Sequence, residues 1–147
     1  MSEIGTLPAA QAYVATDTVL PSGSLPAVSL PGEFFDYGDL HSTTANTTRL
    51  TAPVGGIYLV VGQAAFSWSG TGFRDVRINR GSTMIAHTQV PPVTSSSMAT
   101  DIQVTAIAGL AAGEFVEMLA QQNSGSDLLL YAGRTSLSAT WLSPGPF

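Results

Sequence analysis

The chain has 147 residues, 44% of them apolar and 10% charged, with a formal net charge of −5, and this length suits a single domain with a full hydrophobic core. Its five basic residues are all arginines scattered along the sequence, so they cannot form the dense basic patch that nucleic-acid binding requires. The absence of cysteine excludes disulfides and thiolate metal sites, and no run approaches the roughly 20 apolar residues that span a bilayer.

Residues 1–32 differ from the rest of the chain because prolines separate short apolar groups. Prolines at this density exclude long helices and favour an extended path. A disordered tail is the alternative, but the segment has more apolar residues than a solvated linker needs. We therefore predict an extended N-terminal arm over 1–32 that lies on a surface, in front of a domain over 33–147. The residues expected to anchor this arm are its apolar ones, Leu7, Tyr13, Val14, Val19, Leu20, Leu25, Val28 and Leu30.

From residue 33 the sequence is typical of short strands separated by turns. The predicted strands are 33–38, 55–68, 73–82, 83–90, 101–110, 114–123, 127–133 and 135–142, with 41–53 as a polar connection or edge strand. Residues 106–122 also fit helical spacing, but Gly109 and Gly113 each cost about 1 kcal/mol in a helix interior. The pattern therefore predicts an all-β antiparallel sandwich or jelly roll.

The stretch 55–68 is apolar on both faces of the predicted strand. At a period of two, one face carries Tyr58, Val60, Ala64 and Phe66, and the other carries Ile57, Leu59, Val61 and Ala65. A sandwich strand with two apolar faces has to be covered twice, once by its own domain and once by something else. In a chain this short the second cover is most simply another copy, so we expect an obligate oligomer.

Catalytic residues are not evident in the sequence. Neither His41 nor His87 lies in a recognisable triad motif, and no G-x-S-x-G sequence occurs. The segment 70–72 lacks the strand-to-helix setting of a phosphate loop and is interpreted as a hairpin turn. We therefore expect no enzyme and no cofactor.

Two ligand-binding alternatives remain open at this point. Glu33, Asp36 and Asp39 could ligate calcium, although carboxylates at a strand end more often form a solvated rim, so we expect no metal. A second set of residues, Trp68, Phe73 and Trp141, could line a sugar site, although aromatic residues are more often part of the core.

Two motifs resemble a known family. The run GGIYLVVGQAAF (55–66) and the turn LAAGE (110–114) are similar to the glycine-hydrophobic-tyrosine strand and the leucine-x-x-glycine-acidic turn of the tumour necrosis factor and C1q-like jelly rolls. The phrases TRLTAPVGGIYLV and LAAGEFVEMLAQQNSG are similar to C1q-like domains of tailed-phage virion proteins. The resemblance covers 33–142, and no collagen repeat precedes it.

This resemblance implies a homotrimer in which one sheet of each copy packs around a three-fold axis. On matching positions it places Tyr58, Val60, Ala64 and Phe66 in the core. The same match places six residues toward the axis, namely Leu59, Val61, Gln63, Gln103, Thr105 and Ile107.

The function that we expect is that of a trimeric decoration protein on a phage capsid, bound to the major capsid protein through the arm and the base of the trimer. Three linked contacts bind far more tightly than one. The alternative is a trimeric tail module that binds a receptor glycan. The first ten residues have no signal-peptide pattern, so we expect synthesis in the host cytoplasm and a final place on the virion, with no nucleic-acid or membrane partner.

Overall fold

A computed structural model describes residues 7–147, which form eleven strands and no helix. The part of the chain that it describes therefore has no helix that could cross a membrane. The strands are β1 (Ala9–Tyr13), β2 (Thr18–Leu20), β3 (Gly32–Tyr37), β4 (Arg49–Thr51), β5 (Gly56–Phe66), β6 (Arg74–Arg80), β7 (Thr83–Val90), β8 (Thr100–Leu110), β9 (Phe115–Gln122), β10 (Leu128–Leu130) and β11 (Ser136–Ser143).

The strands form two antiparallel sheets that enclose one core. Sheet 1 has the order β2-β10-β5-β11-β1-β3, with β8 on the free side of β5, and sheet 2 has the order β4-β9-β6-β7. The all-β sandwich that the sequence predicts is confirmed.

Side chains along β5 and β8 point alternately inward and outward, and the inward ones form the sheet 1 side of the core. Tyr58, Val60, Ala64 and Phe66 point inward from β5 and are buried, as predicted. On β8 the inward residues are Ile102, Val104, Ala106, Ala108 and Leu110. Sheet 2 contributes Val76, Ile78, Val116, Met118 and Ala120 from the other side.

The helical alternative for 106–122 is wrong, and the strand interpretation is right. Gly113 has φ +91°, a left-handed conformation that glycine adopts without the strain of a Cβ, and it turns the chain from β8 into β9. The Glu114 carboxylate accepts a hydrogen bond from the Ala111 amide at 2.7 Å, which holds the turn closed.

The predicted arm needs correction, because residues 7–32 are built into the sandwich. β1 lies between β11 and β3 in sheet 1, and β2 pairs with β10. Four of the predicted anchor residues are buried in the protein's own core, namely Val14, Leu20, Val28 and Leu30. Of the others, Leu7, Val19 and Leu25 are exposed and Tyr13 is half-buried. Residues 7–32 are thus part of the jelly roll, and residues 1–6 lie outside the described chain.

Burial changes the acidity of two side chains in the body. The Tyr58 hydroxyl donates to the Val54 carbonyl at 2.6 Å, and burial raises the pKa of this phenol above its ordinary value of 10.0. Arg74 is also buried, and desolvation lowers the pKa of its guanidinium. Its N–H groups donate to three loop carbonyls, those of Ser69, Thr71 and Phe73, and so fix the loop before β6.

Candidate subunit interface

The outward face of sheet 1 brings together all six residues predicted to face a three-fold axis. They form three cross-strand pairs between β5 and β8, Leu59 with Ile107, Val61 with Thr105 and Gln63 with Gln103. Paired residues of an antiparallel ladder project to the same side, so the six side chains form one continuous patch. The β5 members are half-buried, and Ile107 is 70% exposed.

This face continues across β11 and β1 without a charged residue. Thr140 and Ala9 extend the row of Leu59, and Ser138 and Gln11 extend the row of Val61. Of all the described strand residues on the outward face of sheet 1, Asp101 is the one with a charge. Solvated antiparallel sheets present a polar outer face, so the exposed aliphatic side chains here are typical of a surface that another chain covers.

An aromatic cluster lies at the β3 edge of the same face. A bulge opposite Gln11 and Ala12 directs both Phe34 and Phe35 outward, and both are exposed. Phe34 stacks on Tyr13 with ring centroids 4.3 Å apart, and Phe35 lies 5.8 Å from Tyr37. Sequence reasoning missed this cluster, although three aromatic residues within 34–37 break the alternation of a half-buried strand and were the available signal.

One end of the face is covered by the protein's own chain. Ala65, which the sequence placed on the face awaiting a partner, is fully buried. The Ala65 carbonyl accepts a hydrogen bond from the Tyr131 amide at 2.9 Å, and the Ala65 amide donates to the Thr135 hydroxyl at 3.2 Å. The expectation that another copy covers this face is therefore wrong at Ala65.

A polar cavity of about 570 Å³ opens beside this end of the face. Its lining residues are Gln63, Ala64, Asp101, Ile102, Gln103, Gly133 and Arg134. The Arg134 guanidinium donates to both carboxylate oxygens of Asp101 at 2.8 and 3.1 Å. Both side chains are more than half exposed, so this ion pair adds little stability.

Two of the three acidic residues considered for calcium, Glu33 and Asp36, are engaged within the chain. Both carboxylate oxygens of Asp36 accept backbone amides, from Leu40 at 2.8 Å and from His41 at 3.0 Å. Glu33 contacts His41 Nδ1 at 2.8 Å. Within residues 7–147 no three His, Cys, Asp or Glu side chains are placed to hold a metal ion together.

Both histidines have partners that hold local structure. His41 is buried, and its Nε2 lies 3.1 Å from the Thr47 carbonyl. His87 Nε2 lies 2.5 Å from the Asp75 carboxylate, which also accepts from Arg77 Nε at 3.0 Å. In the described residues no serine or threonine hydroxyl hydrogen-bonds to either imidazole.

The three aromatic residues considered for a sugar site do not meet. Trp141 lies at the beginning of β5, where its indole donates to the Gly55 carbonyl at 3.5 Å. Trp68 follows the other end of β5, an eleven-residue strand that is roughly 35 Å long. A single site containing both tryptophans is therefore excluded.

Comparison of the chain with known proteins identifies the fold. The globular domain of zebrafish complement 1qA superposes with a TM-score of 0.56 at 15% identity, covering 94% of this chain and 99% of that one. Murine APRIL superposes with TM-scores of 0.64 in a crystal structure at pH 5.0 and 0.65 in one at pH 8.0. These matches have 15% and 14% identity, and each covers 93% of this chain and 100% of the other.

The fold is that of the C1q and tumour necrosis factor jelly rolls. No protein-family model and no curated protein sequence matches the chain. At these identities the likeness shows the C1q/TNF-like fold alone.

Proposed function

We propose that this C1q/TNF-like chain is a homotrimeric structural subunit that decorates the capsid of a tailed phage. The observation that carries the proposal is the outward face of sheet 1, where Asp101 is the single charged strand residue among those described, Ile107 is 70% exposed, and Leu59 and Val61 are only half-buried. Covering these side chains with sister copies would remove apolar surface from water at about 25 cal/mol per Å². The viral setting rests on the resemblance of TRLTAPVGGIYLV and LAAGEFVEMLAQQNSG to C1q-like domains of tailed-phage virion proteins.

The predicted arm cannot supply the shell contact as a whole, because four of its eight expected anchor residues are buried in the protein's own core. Three exposed apolar residues gather near Trp141 instead. Leu7 precedes Pro8, whose carbonyl accepts a hydrogen bond from the Trp141 amide at 2.9 Å. Val54 precedes Gly55, whose carbonyl accepts from the Trp141 indole. Leu142 is the residue directly after Trp141. We assign the base of the trimer, which binds the major capsid protein, to this end of the sandwich.

The oligomeric state tests the first half of the proposal. Sedimentation equilibrium should give three times the 15.2 kDa of one chain at micromolar concentration. Ile107→Glu should yield single subunits, because three carboxylates would be buried at the contact. Leu25→Glu is the control, since Leu25 is exposed beside sheet 2. A wild-type chain that sediments as a single subunit would refute the trimer.

Binding to particles tests the second half. Purified protein should saturate capsids that lack it, with hundreds of copies per particle, and Leu142→Glu should reduce that binding while the trimer persists. Binding that is unchanged in Leu142→Glu, or a copy number of only a few per particle, would contradict a decoration role at this surface.

The second candidate function is a tail module that binds a glycan. It is favoured by Trp68, which is exposed in the loop after β5, at the end of the sandwich opposite the proposed base. Aromatic rings at loop ends suit stacking on sugars. A glycan array with hits lost in Trp68→Ala would favour this candidate, and an array without hits would count against it.

A further inference from the structure

Residues 144–147 fold back over the end of sheet 1 and place an aromatic ring where a glycine has no side chain. A Cβ built on Gly109 would lie 2.2 Å from Cζ of Phe147 and within 3 Å of both its Cε atoms. A Cβ on Gly55 would lie 2.3 Å from the Phe147 carbonyl oxygen. The ring therefore fills the side-chain space of Gly109, and a larger residue at this position would have to displace it.

Gly109 is part of the face described above. It pairs with Ile57 across the β5–β8 ladder and is the next outward position after Ile107. Both Gly109 and Ile57 are partly covered, while Phe147 itself stays 54% exposed. The ring thus extends the exposed apolar column of Ile107 by one position, with its inner edge on the sheet and its outer side open.

One charged side chain lies beside this spot. The Arg80 guanidinium donates one hydrogen bond to the Gly109 carbonyl at 3.2 Å, at the edge of the ladder. The surface that Phe147 offers is a flat aromatic ring beside a branched aliphatic side chain, and both are uncharged. Such a surface suits another uncharged apolar protein surface.

We propose that Phe147 replaces the side chain that Gly109 lacks, and that a second copy of this chain packs on the exposed side of the ring. The second copy is the occupant because the ring continues the patch formed by Leu59 and Ile107 on the same face. This part rests on the proposed trimer, whereas the replacement of a side chain by Phe147 does not. Three Phe147 rings would close one end of the contact between the copies.

A double-mutant cycle tests whether Phe147 replaces the side chain that Gly109 lacks. The measured effect is the direction in which Gly109→Ala shifts the melting temperature, with and without the Phe147 ring. In the wild-type background, Gly109→Ala should lower the melting temperature by roughly 3–8 °C, because the new methyl group displaces the ring. In the Phe147→Ala background the same change should raise it by roughly 1–3 °C, because alanine suits a strand better than glycine once the space is free. All four proteins are measured at one chain concentration. The same direction of shift in both backgrounds would overturn the replacement.

Self-association tests the partner. Phe147→Ala should weaken assembly by about tenfold or more, because each contact between copies would lose a buried aromatic ring, while the control Leu25→Ala leaves it unchanged. A wild-type chain that remains a single subunit would refute the proposed function and leave the double-mutant cycle to be judged alone. A wild-type trimer that Phe147→Ala does not weaken would refute the packing of a second copy on the ring. Unchanged assembly combined with lost capsid binding would identify the shell as the occupant and would also refute this proposal.

Discussion

Two neighbouring residues of β2 provide a sharp test of whether the early part of the chain is a strand of the sandwich or an arm on its surface. Leu20 is 1% exposed and packs in the core, whereas Val19 points outward and is 54% exposed. Truncation of a buried leucine to alanine costs 2–5 kcal/mol, so we expect about 3 kcal/mol for Leu20→Ala. Truncation of an exposed valine changes stability by less than about 0.5 kcal/mol, which makes Val19→Ala a matched control one residue away.

The measurement is the free energy of unfolding from urea titration at a fixed chain concentration, since stability depends on concentration if the copies assemble. For a chain of this size, 3 kcal/mol corresponds to a fall of roughly 10 °C in melting temperature. The urea dependence of the free energy should stay unchanged, because the surface exposed on unfolding is nearly the same. Equal, small effects of Leu20→Ala and Val19→Ala would show that β2 is not part of the core.

Three further expectations follow from single contacts. Gly113→Ala should destabilise the fold by about 1–2 kcal/mol in urea titration, because a Cβ is strained at φ +91°; an unchanged midpoint would contradict the left-handed turn. Burial raises the pKa of Tyr58, so the folded protein holds the phenolic proton more tightly than the unfolded chain does. The stability that this proton contributes is fully present below pH 10 and is lost as the pH rises toward the higher pKa of the folded state. A pH series of melting temperatures should show a smaller alkaline loss in Tyr58→Phe, and an equal loss would assign the effect to other groups. Asp75→Ala should cost about 1–3 kcal/mol by thermal unfolding, because it leaves the Arg77 guanidinium without its acceptor; a neutral result would mean that water replaces the carboxylate at no cost.

The sequence predicted the body of the sandwich well because the long strands carry a strong signal. Burial alternates along all eleven residues of β8 and along β5 as far as Ala64, and the register of the two strands places the six predicted interface residues in three pairs. A period of two in long strands survives small errors in the boundaries. The cost of Gly109 and Gly113 in a helix interior decided correctly against a helix over 106–122.

Strands β1 and β2 were missed because their short sequences show only a weak hydrophobic pattern. The inward positions of β1 are Ala10 and Ala12, small side chains that resemble a linker more than a core strand, yet both are buried between β11 and β3. Prolines before and after β2 suggested an extended path on a foreign surface. An extended path is equally a strand, and only the positions of β11 and β10 show which partner it has.

The chain itself narrows down where a sister copy can sit on sheet 1. At one end, residues 131–135 bury Ala65, and at the other end Phe147 closes over Gly109. The open part of the face extends from the covered Ala65 to the exposed outer side of the Phe147 ring. Its two lateral edges differ in chemistry, since one is aliphatic at Ile107 and the other is aromatic at Phe35. A contact that joins the aliphatic edge of one copy to the aromatic edge of the next forms a closed ring when the rotation between successive copies closes. The two unlike edges are therefore compatible with the cyclic trimer that we propose.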